Sequence, residues 1–187
     1  IALAVGAAVA IVLAARAVAG EIENGVLELV LSQPISRPRY FAGQALFALA
    51  ALAALALAGA FGTFLGQRVY ALHALTVHTV LLLALNYLLL QLAWYAIALV
   101  LSVSGREAGR VAFGGFFLAL VSYLVQVIAQ LWPPAAFLLP YSLNAYYSPP
   151  QILARQALAA KSVAVLVAIG AVGIALALWR FLRRDIP

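Results

Sequence analysis

The chain has 187 residues, of which 67% are hydrophobic and only 9% charged, with mean hydropathy +1.12 and net charge +6. Soluble domains carry about 25% charged residues, so this composition cannot clothe a water-facing surface, and the bilayer is the solvent. The basic residues sit at the ends of apolar runs, which suits lipid headgroups and orientation signals and argues against a nucleic-acid partner; with no cysteine, disulfide and thiolate chemistry are excluded.

The first apolar run covers residues 1–20. Its opening part, 1–15, would reach only about 22 Å as a helix, against a hydrocarbon core of about 30 Å, and Arg16 then interrupts it. No basic n-region precedes the run and a charged amphipathic segment follows, which argues against a signal peptide. The expectation is that the natural chain extends before Ile1. Four further runs, at about 40–66, 75–103, 111–131 and 162–182, bring the number of spans to five. The second and third have length to spare for tilt or for ends beyond the membrane. All the runs are continuous, with no alternating ten-residue pattern, so the expected fold is an all-α integral membrane protein, a polytopic helical bundle, and not a β-barrel.

Basic residues orient the spans. With segment 21–39 in the cytoplasm, Arg16, Arg37, Arg39, Arg106, Arg110, Arg180, Arg183 and Arg184 lie inside, and Arg68, Arg155 and Lys161 outside. Eight against three follows the positive-inside rule. The longest connection, 132–161, then faces outward. Pro133, Pro134, Pro140, Pro149 and Pro150 break any long helix there, and Trp132, Tyr141, Tyr146 and Tyr147 suit an aromatic interface belt. Short apolar pieces such as 135–139 leave a re-entrant path and a plain outer loop both open.

Between the first two runs lies a polar island, EIENGVLELVLSQPISRPRY at 21–40, holding three of the chain's five acidic residues. Asn24-Gly25 reads as a turn or helix start, and Pro34 must stop a helix. Between them, Leu27, Val30 and Leu31 share one face while Glu23 and Glu28 point elsewhere. Ser36 can cap the next helix, with Pro38 in its first turn, and Arg37 and Arg39 meet the headgroups. The expected element is a cytoplasmic helix at about 25–33, roughly two turns long and too short to persist alone. Span ends beneath it or a partner protein must bury its apolar face.

Chemistry-bearing motifs are few. No G-x-x-x-x-G-K-[ST] occurs, so the chain is not expected to cradle ATP or to be an enzyme. His73 and His78 are five apart and fall on different helix faces, which makes a metal site improbable. SVSG at 102–105 is similar to the G-x-S-G of intramembrane serine proteases, but Ser102 stands where the first glycine belongs. No catalytic or metal-binding residue is expected. Within the spans, Asn86, Gln91, Ser122, Gln126 and Gln130 are the notable polar groups, candidates for interhelical hydrogen bonds or for a substrate path. Ser122, Gln126 and Gln130 recur every four residues as one stripe. Gly62 and Gly66, with Gly170 and Gly173, are expected to pack helices closely.

The island's pattern, E-x-E-x-G-x-L-E-x-x-L-S-x-P-I-S-R, resembles the signature of ABC type-2 exporter permeases, E-x-x-x-G-T-L-E-x-L-L-S-x-P-[IV]-S-R. Glu21, Gly25, Leu27, Glu28, Leu31, Ser32, Pro34, Ile35, Ser36 and Arg37 match; Val26 replaces the usual Thr and Val30 a Leu. ALVLSVSGREAG, SLNAYYSPPQIL and RFLRRDIP are similar to further stretches of that family, so the likeness covers most of the chain. It implies that 25–33 is a coupling helix docking in a cleft of a separate ATPase subunit. Glu21, Glu23, Gly25, Leu27, Glu28, Leu31, Ser32, Pro34 and Arg37 would make that contact. The family has six spans, so the resemblance implies that one precedes Ile1. It further implies two permeases with two ATPase subunits, ATP and Mg bound only by the partner, no cofactor on this chain, and a place in the inner (plasma) membrane among its lipids. A channel or secondary transporter without an ATPase is the alternative; deep charges would favour it, yet no acidic residue and no Lys lies mid-span.

Overall fold

In lipid every backbone polar group must find its partner inside the protein, and this chain does so with helices. A computed structural model describes residues 2–25, 36–69 and 75–183, and all regular structure among them is helical. Helix α1 runs over Ala2–Glu23, α2 over Arg37–Val69, α3 over Val77–Ser104, α4 over Ala108–Leu131 and α6 over Ala160–Arg183. These five are long and apolar enough to cross a membrane. A short helix, α5, covers Pro149–Arg155 between α4 and α6.

Local chemistry sets the helix ends. Asn24 and Gly25 close α1: the Asn24 N–H and side-chain amide both donate to the Gly20 carbonyl, at 3.1 and 2.7 Å. Gly25 takes φ +69, a left-handed value that suits glycine at a helix C-terminus. Helix α2 begins beside Ser36, whose carbonyl accepts the Tyr40 N–H at 3.1 Å, and Pro38 sits in its first turn, where no intrahelical N–H is needed. Thr76 caps α3 by accepting the Thr79 N–H on its hydroxyl at 3.2 Å. The 33 residues of α2 span about 50 Å, well beyond the hydrocarbon thickness.

Arg16 does not interrupt the first helix. The chain stays helical through it, but the ladder widens into a π turn over Arg16–Gly20 before a last α turn at Glu21–Glu23.

Helix α3 is the axis of the bundle. Half of its apolar window is buried, against 17% for α2, α4 and α6, and it packs against α1, α2, α4 and α6. Closest approach to α6 is at Gly173, where an added Cβ would come within 2.9 Å of the Ala96 Cβ. Gly115 of α4 similarly admits Ile11 of α1. Gly62 and Gly66, in contrast, face open space, as does the position a Gly170 side chain would take; among the described residues only Gly173 of those four glycines packs a neighbour tightly. Large apolar side chains such as Phe47, Leu57 and Phe61 of α2, and Phe113 and Phe117 of α4, point outward, as a lipid-solvated surface allows.

The five long helices bring their basic ends together. At the start of α2, Tyr40 stacks on Phe181 near the end of α6 and Phe41 packs tilted against it, with ring centroids 6.1 and 5.8 Å apart. Arg180 donates to Ser104 Oγ at 2.8 Å, joining α6 to α3. At the opposite end Tyr87 donates to the Ala2 carbonyl at 2.6 Å and meets Tyr147.

The connection between α4 and α6 folds back into the bundle. Tight 3-10 turns at Pro133–Tyr141 and Leu143–Tyr146 precede α5, and Ser142, Leu143 and Asn144 are buried. Ser122, their partner on α4, lies about 13 Å inside the helix terminus at Leu131. The inward contacts are made by 142–144; Phe137, in the apolar piece 135–139, stays exposed.

Candidate functional site

Two regions hold the residues singled out by sequence: the basic end around the polar island, and the polar groups along α3 and α4. Of the island, Glu21, Glu23, Gly25 and Arg37 are described; Leu27, Glu28, Leu31, Ser32 and Pro34, with the central part of the expected coupling helix, lie outside the described residues.

Glu21 turns toward α2. Its carboxylate accepts from the Tyr40 hydroxyl, and Gln44 Nε2 donates to it at 2.9 Å and to the Tyr40 oxygen at 3.2 Å. The Tyr40 hydroxyl also lies 3.1 Å from the Ala17 carbonyl. Residues 40 and 44 are one turn apart on α2 and present one face to the end of α1. The two helices that flank the island are therefore tied to each other by a charge-assisted network.

Glu23 reaches a third helix. Its carboxylate accepts the Ala108 N–H at 2.8 Å, one of the orphan donors of the α4 N-terminus, where the helix dipole favours a negative charge. Glu107, the residue just before α4, instead pairs with Arg110 at 2.9 Å. Gly20 lies beside Ala108: a Cβ at position 20 would sit 3.6 Å from the Ala108 Cβ, in ordinary contact.

Ser102 is the third tie. Its hydroxyl accepts the Ala19 N–H at 3.0 Å and lies 3.3 Å from the Ala15 carbonyl, to which it donates. The segment entering the island is thus held by α2 through Glu21, by α4 through Glu23 and by α3 through Ser102. Glu21 and Glu23 tie 21–25 directly to α2 and α4, and Ser102 ties the turn just before it to α3.

The α4 stripe divides. Ser122 is buried and its hydroxyl accepts the Leu143 N–H at 3.0 Å, while Ser142 donates to the Ser122 carbonyl at 2.8 Å. Ser122 is thus the anchor of the inward-folded connection. Gln126 and Gln130, one and two turns further on, line a cavity of about 680 Å³ with Tyr146, Ser148, Gln151, Lys161 and Ser162. On α3, Asn86 approaches the Tyr146 carbonyl at 3.5 Å and Trp94 donates to Asn144 at 3.3 Å, so this face also serves the connection. Gln91 is only 1% exposed, and neither of its amide atoms has a hydrogen-bond partner among the described residues. Structure therefore joins Gln126 to Gln130 at one cavity, and places Asn86 and Ser122 on the connection, with Gln91 enclosed elsewhere. Burial and the neighbouring Tyr87 raise the Tyr147 phenol above its ordinary range, which keeps that ring neutral in the polar connection.

Tyr40, Gln44 and Ser102 were not singled out as contacts by sequence. The one-turn spacing of Tyr40 and Gln44 was a readable signal; the partners of both, on α1, were not. Among the described residues no group of three or more His, Asp or Glu gathers to hold a metal, and His73 lies outside them.

The family model described as ABC-2 family transporter protein matches residues 1–186. No curated protein matches the chain.

Proposed function

The chain belongs to the ABC-2 family of transporter proteins and is a multi-pass permease subunit of an ABC transporter, and from that premise we propose that it couples ATP hydrolysis on a separate subunit to outward movement of substrate. The observation that carries this reading is the attachment of the island and of the turn that enters it: Glu21 to α2, Glu23 to α4, and Ser102 of α3 to Ala15 and Ala19 of α1. Segment 25–33 is the handle, on the cytoplasmic face of the inner (plasma) membrane. ATP binding closes a pair of ATPase subunits, and two permeases move with them. The energy reaches the spans because the handle makes different contacts in the two states, not through docking alone.

This chain hydrolyses nothing and binds no cofactor; ATP and Mg belong to the partner. Substrate passes the polar groups facing the cavity at Gln126 and Gln130. Glu28 meets a basic or hydrogen-bonding group of the ATPase, and Leu27 and Leu31 fill apolar pockets. Removing one member of a buried charged pair costs about 2–5 kcal/mol in binding, against about 0–1 kcal/mol for a surface pair. Glu28→Lys and Leu27→Asp are therefore expected to release the ATPase or uncouple hydrolysis from transport while the bundle stays folded. Co-purification and vesicle transport by the full complex measure this. Wild-type ATPase binding and transport in both variants would sink the coupling reading.

A further inference from the structure

Ala15 and Ala19 are four residues apart, so in an uninterrupted α-helix the carbonyl of the first would accept the N–H of the second. Here the Ser102 hydroxyl stands between them, accepting from Ala19 at 3.0 Å and donating to Ala15 at 3.3 Å. It does so at the start of the π turn Arg16–Gly20. A side chain inserted into the ladder is a recognised way for a helix to break its i→i−4 pattern locally, and in lipid a neighbouring hydroxyl is one of the few groups able to re-satisfy the opened backbone. Ser102 is wholly buried, as are Ala15 and Ala19, so no bulk water competes for these groups.

A π turn carries one residue more than the α turn it replaces. Closing it to α geometry would turn everything beyond it by about 100° and shift it by about 1.5 Å. What lies beyond is Glu21, whose carboxylate is bound by Tyr40 and Gln44, and Glu23, which caps α4. Neither contact survives such a rotation. We infer that Ser102 is the positioning residue for coupling: by wedging open the α1 ladder, it sets the register in which Glu21 and Glu23 grip α2 and α4, and with it the register in which the chain leaves α1 at Gly25. This deepens, and rests on, the coupling reading above. SVSG thus has a use unrelated to nucleophilic chemistry, because both hydrogen-bonding roles of the Ser102 hydroxyl are committed to α1.

The test reads register and coupling separately, in the full-length complex. A Cβ added at Gly20 would lie 3.6 Å from the Ala108 Cβ, within the range of about 3.5–4.5 Å found in disulfides. The chain has no cysteine of its own, so Gly20→Cys with Ala108→Cys reports the register of the α1 terminus, scored as a cross-linked tryptic peptide after oxidation. Losing these hydrogen bonds through Ser102→Ala is expected to cut cross-link yield roughly fivefold. Substrate moved per ATP hydrolysed, measured without the cysteines, should fall by a similar factor while the ATPase still co-purifies. Deleting Ala17 in the Ser102→Ala background closes the ladder without rotating Glu21 and Glu23, and should restore both readouts. An undiminished cross-link in Ser102→Ala overturns the register claim. A lost cross-link with normal coupling overturns the positioning role, as does failure of the deletion to rescue coupling. If Glu28→Lys uncouples the complex and Ser102→Ala does not, this inference falls alone; if Glu28→Lys and Leu27→Asp both bind the ATPase and transport normally, the coupling reading falls first.

Discussion

Glu21 is an acidic residue that the bundle uses for itself. Read as part of a docking surface, it should matter less than Glu28, because it lies nearer the span. In the fold it is instead the joint between α1 and α2, held by Tyr40 and Gln44. Hydrogen bonds to charged groups contribute about 1.5–3 kcal/mol when partly shielded, so Glu21→Ala should lower the stability of the detergent-solubilised complex measurably. Tyr40→Phe should do the same, and the pair should not be additive: residues sharing one network couple by about 0.5–3 kcal/mol. Denaturant titration of the two single variants and the double variant measures that coupling. Additive losses would show that Glu21 and Tyr40 stabilise the bundle independently, and the joint would have to be abandoned.

Ser122 and Gln126 show how one element divides its tasks. Both belong to a stripe that recurs every four residues on α4, yet Ser122 binds the inward-folded connection and Gln126 faces the 680 Å³ cavity. Ser122→Ala leaves the Leu143 N–H without its acceptor, a loss of about 1–3 kcal/mol for a buried group, and should make 142–146 more sensitive to protease. Gln126→Leu and Gln130→Leu should keep that resistance while changing substrate-stimulated ATP hydrolysis by the complex. If Ser122→Ala changes stimulation and leaves the connection protected, the division is wrong. The sequence showed the stripe because spacing by four is a property of one helix. It could not show the division, which depends on where the Pro133–Pro150 connection turns inward. The π turn was hidden for the same reason: Arg16 marked the place, but the wedge, Ser102, lies on α3, 83 residues beyond the Ala19 it binds. Long apolar helices were legible because hydropathy and length suffice for them, and the turn at Asn24-Gly25 because only local chemistry is needed. Gly62 and Gly66 carried a packing motif whose partner is not among the described residues of this chain.

At the scale of the whole molecule, the positive-inside count becomes a statement about geometry. Three sets of contacts gather the basic ends: Tyr40 and Phe41 with Phe181, Glu23 with Ala108, and Arg180 with Ser104. The Tyr87–Ala2 and Tyr87–Tyr147 contacts mark the other end. Charge bias supplies the sign that geometry lacks, since loops rich in Lys and Arg stay in the cytoplasm. A chain without cysteine permits a clean test. Ser36→Cys and Arg183→Cys, both at exposed positions, should react with a membrane-impermeant maleimide only when it reaches the cytoplasmic face. Ser148→Cys, beside the outer cavity, should react only from the other face. Inverted vesicles and intact cells provide the two exposures. Reaction of Ser36→Cys and Ser148→Cys from the same face would contradict the arrangement of the bundle itself. Reversal of both would leave the bundle standing and place the island on the side away from ATP, where no ATPase could grip it, so that this one measurement separates an error of fold from an error of function.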